Sequence, residues 1–272
     1  MARAARSDVV ILTLGETIDM RSEQPSRADL TLPGDQRKLL DAVLATGKPV
    51  VVAHMNERPL DLTGVFEKVP AILEAWYPGS RGGIAVARAL FGDVNRGGKT
   101  PVTWPRSVGQ VPIYYALNLS HSPEGQRRRY FDAPSTPPFP FGLGLSYTSF
   151  TIAPPTLDKP ELTPGGKIIV AATLTNTGAR AGDEVVQLYV HQRAGRASRP
   201  VRLLQGFQRV SLNAGESRTL SVTLDESNIR SWNTAERGQV IDPDVFDLWI
   251  GNNSLADDHI TFNVGGKTRA VK

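Results

Sequence analysis

The hydrophobic patterning of this chain predicts two architectures in succession, a parallel α/β layer and then an all-β sandwich. Residues 8–104 alternate apolar, β-branched runs with helical stretches, the order of strands joined by crossover helices. From about residue 151 the chain switches to short alternating runs separated by Gly, Pro, Asn and Asp, which is the spacing of a β-sandwich. The implied boundaries are 1–110 for the α/β part, 111–150 for an aromatic and proline-rich connection, and 151–272 for the sandwich.

Taken in order, VVILTL (9–14), KPVVVAHM (48–55) and PAILEAWY (70–77) are the strands of the first part. The first follows Asp8 as an apolar, β-branched run that reads as a buried parallel strand. Helices are predicted over about 34–46, 59–68 and 80–91. The first is opened by Pro33 and closed at Gly47, and the third is opened by Ser80 and stops before Gly92-Asp93. Residues 105–150 carry no long periodic run but hold Tyr114, Tyr115, Tyr130, Phe131, Phe139, Phe141, Tyr147 and Phe150 among several prolines. A connection of that length either serves function or ties domains together. In the sandwich, KIIVAATLTNTG, EVVQLYVHQ, VRLLQGFQRVSL, SRTLSVTL, DVFDLWIG and HITFNV are the strand runs. Val186, Leu188 and Val190 alternate with Gln187, Tyr189 and His191, the pattern of a strand with one face in the core. His191 and His259 have no clustered partners in the sequence and are expected at the surface.

The most polar connection is GETIDMRSEQPSRAD (15–29), which leaves the carboxyl end of the first strand and leads into the first helix. It gathers Glu16, Asp19 and Glu23 with Arg21 and Arg27, and offers no aliphatic cover for them. Ligands of open α/β sheets bind outside the carboxyl ends of the strands. From these residues alone, a solvated connecting loop is the simpler reading.

Composition narrows the function classes. With 272 residues, 40% hydrophobic and 21% charged, the chain is globular and long enough for two ordinary domains. The net charge of +4, from 31 basic and 27 acidic residues, is too balanced to predict a nucleic-acid partner. The one basic run, Arg127-Arg128-Arg129, reads as solvated or salt-bridged. The absence of cysteine excludes disulfides, thiolate zinc ligands and thiol catalysis. No apolar run approaches the roughly 20 residues of a membrane span, so no membrane partner is expected. MARAARSD has no apolar core behind it and does not read as a secretory signal. The bacterial periplasm, secretion and the cytoplasm all stay open as compartments. No metal-ligand spacing, phosphate loop or Ser-His-Asp order is present, so neither a metal nor a cofactor is expected.

The loop gains a chemical meaning from resemblance. Gly15-Glu16, Glu23, Ser26-Arg27, Asp29 and Leu30-Thr31-Leu32-Pro33 resemble the acid/base loop of family 3 glycoside hydrolases, the β-glucosidase family. The likeness continues in order through NERPLDL (56–62), AILEAWYPGSRGG (71–83), LFGDVNRGGKTPVTWPRSVGQVPIYY (90–115), RRYFD (128–132) and PFPFGLGLSYTSF (138–150). It runs on through LTNTGARAGDEVVQLYV (174–190), SRPVRLLQGF (198–207) and LNAGES (212–217), covering about residues 8–264. Gln24-Pro25 stands where many members have small residues. The resemblance implies a partial α/β sandwich domain followed by a fibronectin type III-like domain. It also implies that residues 111–150 wrap back across the sandwich and lie partly near the cleft.

For this family, the resemblance implies a retaining β-glycosidase acting on a β-glucoside or oligosaccharide. Glu23 matches the general acid/base. Glu16 is either a structural carboxylate that fixes the loop or the alternative acid, and Arg21 and Arg27 are candidate substrate-binding residues. The nucleophile of the family is an Asp on an N-terminal barrel, and no Asp of this chain is set in that motif. Three parallel strands make a thin sheet with exposed edges. The chain is therefore expected to be a fragment, or one part of a split or cleaved enzyme, whose partner is a barrel-containing polypeptide. The competing expectation is a non-catalytic remnant that binds carbohydrate or plays a structural part.

Overall fold

The computed structural model describes residues 2–20, 26–118 and 130–271. The chain forms two compact units, Met1–Val94 with Trp104–Ile113, and Asn95–Thr103 with Tyr114–Lys272. The α/β layer and the β-sandwich predicted from the sequence are both present, one in each unit.

The first unit runs α1 (Ala2–Ala5), β1 (Val10–Gly15), α2 (Gln36–Leu44), β2 (Val50–Met55), β3 (Ala71–Glu74) and α3 (Gly82–Leu90). The three strands form a parallel sheet in the order β1-β2-β3, with Val10 opposite Val50 and Val51 opposite Ala71. The central strand β2 is the most buried, as its VVVAHM sequence requires. Helix α2 turns Leu40 and Val43 inward, three residues apart on one face. Trp104 is almost fully buried and its indole Nε1 donates to the Leu60 carbonyl at 2.6 Å.

The helix expected over 59–68 does not form. Gly64 has φ +70°, a left-handed conformation that no right-handed helix can contain. Asp61 accepts from the Thr63 amide at 2.8 Å and starts a local turn instead. Tight turns follow, with Val65 N–H donating to Leu62 O and Lys68 N–H to Val65 O. They still bury Leu60, Leu62, Val65 and Val69, so the apolar spacing that suggested a helix serves a compact coil.

In the second unit the chain runs β4 (Phe150–Ile152), β5 (Thr156–Leu157), β6 (Glu161–Leu162), β7 (Ile168–Asn176), β8 (Gly182–Gln192), β9 (Leu203–Leu212) and β10 (Ser217–Leu224). Helix α4 (Glu226–Ile229) follows, then β11 (Ser231–Asn233), β12 (Gly238–Ile241), β13 (Asp244–Gly251), β14 (His259–Val264) and β15 (Arg269–Val271). One sheet is β10-β7-β4 with β5 also on β7, a second is β6-β14-β13-β8-β9, and β11-β12-β15 form a small third sheet. Inward residues of the two large sheets, among them Ile168, Val170, Leu174, Leu188, Leu248 and Phe262, make one apolar core. This is the arrangement of a two-sheet sandwich, and inward and outward residues alternate most regularly along β7.

Strand β8 departs from the expected one-faced pattern. Val186, Leu188 and Val190 face the core, but Gln187 and Tyr189 on the other face are only 3% and 0% exposed. The aromatic connection covers them. Tyr115 stacks on Phe141 at 4.2 Å between ring centres and meets Tyr189 edge-on at 5.8 Å. The Tyr189 hydroxyl donates to Gln187 Oε1 at 2.5 Å, while Gln187 Nε2 donates to Gly142 O at 3.1 Å and Asn252 O at 2.9 Å. Burial pushes the Tyr189 pKa well above its usual value, so the hydroxyl stays a donor. Beside it, Lys99 reaches the buried Glu184 at 2.5 Å. His191 is half-buried, with Nδ1 2.7 Å from Pro200 O, and His259 is exposed.

Gln187 is thus the polar centre of this covered face of β8, and its removal leaves a tyrosine hydroxyl and two carbonyls without this partner. Gln187→Ala is expected to cost about 1–3 kcal/mol. A lower urea midpoint at unchanged m-value is the expected result. A midpoint within error of the parent would show that the connection adds nothing to the sandwich.

Candidate active-site loop

The loop after β1 is prepared by a backbone that only glycine can supply. Gly15 has φ +137°, and a Cβ there would sit 1.8 Å from the Met55 carbonyl oxygen. Next to it, the Gln36 side chain grips Gly15 on both sides: Oε1 accepts from its amide and Nε2 donates to its carbonyl, each at 2.7 Å. The start of the loop is therefore fixed to β2 and to the first turn of α2.

Glu16 is the first side chain beyond that point, and its carboxylate is fully buried. Oε1 accepts from Arg27 Nη1 at 3.1 Å and from Arg58 Nη1 at 2.9 Å, and Oε2 accepts from the Glu57 amide at 3.1 Å. Arg58 Nη1 also donates to Met20 O at 2.8 Å, and Arg27 Nη2 to Thr31 O at 2.9 Å. Asp29 continues the series, accepting from the Thr31 amide and hydroxyl at 2.8 and 2.9 Å. One carboxylate thus joins the outgoing end of the loop, its returning end and the turn after β2.

Burial by itself would raise the Glu16 pKa, but the Glu57 amide and the guanidinium groups of Arg27 and Arg58 outweigh it and hold the pKa below the ordinary value. For Asp29, hydrogen bonds from the Thr31 amide and then its hydroxyl lower the pKa likewise.

Of the residues singled out from the sequence, the structure brings Glu16 and Arg27 together in this cluster. Glu23 and Arg21 lie outside the described residues, between the two ends that the cluster joins. Sequence reading did not single out Arg58, the second cation on Glu16. Its signal was available in the NERPLDL run, which follows the neighbouring strand β2. It also passed over His54 and Glu74, which lie side by side on β2 and β3 with His54 Nδ1 2.7 Å from Glu74 Oε2. Glu74 Oε1 accepts from the Trp76 amide at 3.0 Å and holds Trp76 at φ +49°. Among the described residues, no group of His, Cys, Asp and Glu is arranged to hold a metal ion. No helix there is long and apolar enough to cross a membrane.

Comparisons with known proteins bear on both units. Residues 1–147 match the glycosyl hydrolase family 3 C-terminal domain, and residues 184–254 match a fibronectin type III-like domain. The chain is 42% identical to the periplasmic β-glucosidase of Salmonella typhimurium over 257 residues, which is 92% of this chain and 34% of that protein. It is also 42% identical to a β-xylosidase of Formosa agariphila, over 95% of this chain and 35% of that one. A crystal structure of the Listeria innocua β-glucosidase with glucose superposes with a TM-score of 0.92 at 34% identity, covering 98% of this chain and 38% of that one. The chain therefore spans about a third of the length of the curated relatives it matches.

The ionised Glu16 has a folded pKa below its unfolded value of about 4.3. Its contribution to stability is complete above that unfolded value and is lost as pH falls through the lower folded one. Glu16→Gln is expected to cost about 1–3 kcal/mol at pH 7, less than loss of a wholly buried pair, because Arg27 and Arg58 keep some access to water. Urea unfolding of both proteins from pH 7 down to pH 3 should show the gap closing. A gap of the same size at both ends would place the effect in packing rather than charge.

Proposed function

Because this chain belongs to glycosyl hydrolase family 3, we propose that it forms the acid/base side of the cleft of a retaining β-glycosidase, with Glu23 as the general acid/base. The observation that carries this reading is the Glu16 cluster. It ties both ends of the loop containing Glu23 to the carboxyl end of the parallel sheet, where ligands of such sheets bind.

The chemistry divides between two carboxyl groups about 5–5.5 Å apart. In the first step an Asp on the barrel of the whole enzyme attacks the anomeric carbon while Glu23 protonates the departing oxygen. In the second, ionised Glu23 takes a proton from the water that displaces the Asp, and the β configuration is retained. A general acid must keep its proton near working pH, so its pKa has to rise. Glu16 is held in the opposite direction and its oxygens are occupied by donors. That environment favours Glu16 as the anchor and Glu23 as the acid. Arg27 spends its guanidinium on Glu16 and Thr31, which favours a loop-closing part for it over direct substrate contact.

The relatives' names support a terminal β-glucosyl group as substrate, with β-xylosyl as the second reading on the equal 42% identity to the β-xylosidase. The periplasmic location of the Salmonella relative supports the bacterial periplasm as the compartment.

The test is made in the enzyme that contains both the barrel and these residues. Glu23→Ala should lower turnover of unactivated glycosides by about 10²–10⁴-fold. Activated aryl glycosides should suffer least in the first step, the glycosyl-enzyme should accumulate, and azide should restore turnover with a β-glycosyl azide as product. Glu16→Ala should lose activity through the loop, without azide rescue. Rescue of Glu16→Ala and none of Glu23→Ala would reverse the assignment. These 272 residues expressed alone should not hydrolyse aryl β-glycosides, because a lone acid cannot form the covalent intermediate. Turnover at the rate of a whole enzyme would refute the division of roles.

A further inference from the structure

Trp76 has a backbone that its side chain does not favour. At φ +49° it lies in the left-handed region, where a bulky residue is an outlier. Among the described residues one other non-glycine residue shares this feature, Arg237, and it sits in the turn between β11 and β12, where positive φ is ordinary. Trp76 is in no hairpin. A residue in such a state persists only where its surroundings over-determine it, and such residues gather at active sites and ligand clamps.

What fixes Trp76 is a set of contacts running across the sheet. Glu74 Oε1 accepts from the Trp76 amide at 3.0 Å, and Glu74 Oε2 lies 2.7 Å from His54 Nδ1. His54 stands opposite Glu74 on the neighbouring strand and is fully buried. Its Nε2 is buried too and has no partner among the described residues. Keeping a polar ring in the core with one nitrogen unsatisfied costs stability. What the ring does there is orient Glu74. The Trp76 indole leans on the buried Trp104, with ring centres 5.9 Å and planes 43° apart, and stays partly exposed.

The place so fixed is the carboxyl end of the parallel sheet. Leu14, His54 and Glu74 form one rung across β1, β2 and β3. At about 4.8 Å per strand spacing, the ends of β1 and β3 lie about 10 Å apart. Glu16 and Trp76 each come two residues beyond that rung, so the anchor of the Glu23 loop and the indole leave the same edge. A disaccharide can span that separation. Pyranose rings carry faces of C–H groups that pack on an aromatic ring, and indole offers a large one.

We propose that Trp76 is an aromatic platform for the leaving-group sugar of a β-linked oligosaccharide, with Glu74 and His54 as its positioning residues. This rests on the glycosidase function proposed above. Glu23 protonates the oxygen that joins the two sugars, so a platform beside its loop meets the sugar that departs. The substrate class is thereby narrowed to β-glycosides whose leaving group is itself a sugar.

The test uses the enzyme that contains both the barrel and these residues. Trp76→Gly removes the indole and keeps a residue suited to the left-handed backbone. Two substrates are compared, a β-linked glucose disaccharide and β-glucosyl fluoride. Fluoride departs as an ion with no sugar attached, so it reports on the fold and the nucleophile but not on the platform. The ratio of kcat/KM for the disaccharide to that for the fluoride should fall about three- to tenfold, the worth of one aromatic contact. An equal loss on both substrates, or none on either, would overturn the proposal. Trp76→Asn, which also tolerates this backbone, gives the same comparison where the glycine variant does not fold. Glu74→Ala should lower the same ratio, while Glu74→Gln, which retains an acceptor for the Trp76 amide, should preserve it. A parental ratio in Glu74→Ala would overturn the positioning role. The two readings fail separately. A lowered Trp76→Gly ratio without azide rescue of Glu23→Ala would sink the acid/base assignment alone, and rescue with an unchanged ratio would sink the platform alone.

Discussion

A single carboxylate with three donors organises the first unit. Glu16 sits where β1 ends, and its carboxylate joins the outgoing chain to the returning chain at Arg27 and to the turn at Arg58. The cost of burying a charge is large unless hydrogen bonds and opposite charge replace water. Here one oxygen meets two guanidinium groups and the other meets a backbone amide. Both arginines also reach carbonyl oxygens of the loop and its return, so each cation serves two strands of the polypeptide at once. The cluster is compact because Gly15 allows the backbone to lie against Met55, a position that any side chain would occupy.

Under the proposed function, the two glutamates of this short loop have opposite requirements. Glu16 is surrounded by donors and stays ionised, which suits a structural tie. The proposed acid/base, Glu23, needs a desolvated cleft and a second carboxylate nearby to raise its pKa. A loop whose two ends are rigidly tied can present one side chain to a cleft without spending that side chain on its own folding. The division follows the general rule that a reacting group is positioned by neighbours which do not themselves react.

Much of this was legible in the sequence. The three parallel strands could be read from continuous apolar runs, and the sandwich from alternation, although only β2 is buried along most of its length, Ile11 of β1 stays 41% exposed and no residue of β3 is fully buried. The helix expected at 59–68 failed because apolar spacing alone does not distinguish a helix from a buried coil, and Gly64 decided between them through its left-handed backbone. Strand β8 was misread in a different way. Gln187 and Tyr189 are polar enough to look solvent-facing, yet they are buried because a second layer arrives from residues far away in sequence. At the candidate site, Glu16 and Arg27 could be linked from one loop. Arg58 stood in the NERPLDL run, but its partnership with Glu16 spans 42 positions and exists only once β1 and β2 pair.

The covering of β8 alters what counts as the module. Seen along the sequence, the sandwich begins near residue 151, and a gene fragment cut there would contain every strand of its two sheets. Such a fragment would carry a Glu184 stripped of Lys99, a Gln187 without the Gly142 carbonyl and a wet Tyr189, the last two on one newly exposed strand face. That face would be a sticky surface in a recombinant domain and a poor starting point for grafting. The transferable piece is discontinuous: it includes the ribbon at 95–103 and the aromatic stretch from Tyr114 onward. Shuffling of this sandwich between proteins, by nature or by design, would have to carry that borrowed lining with it.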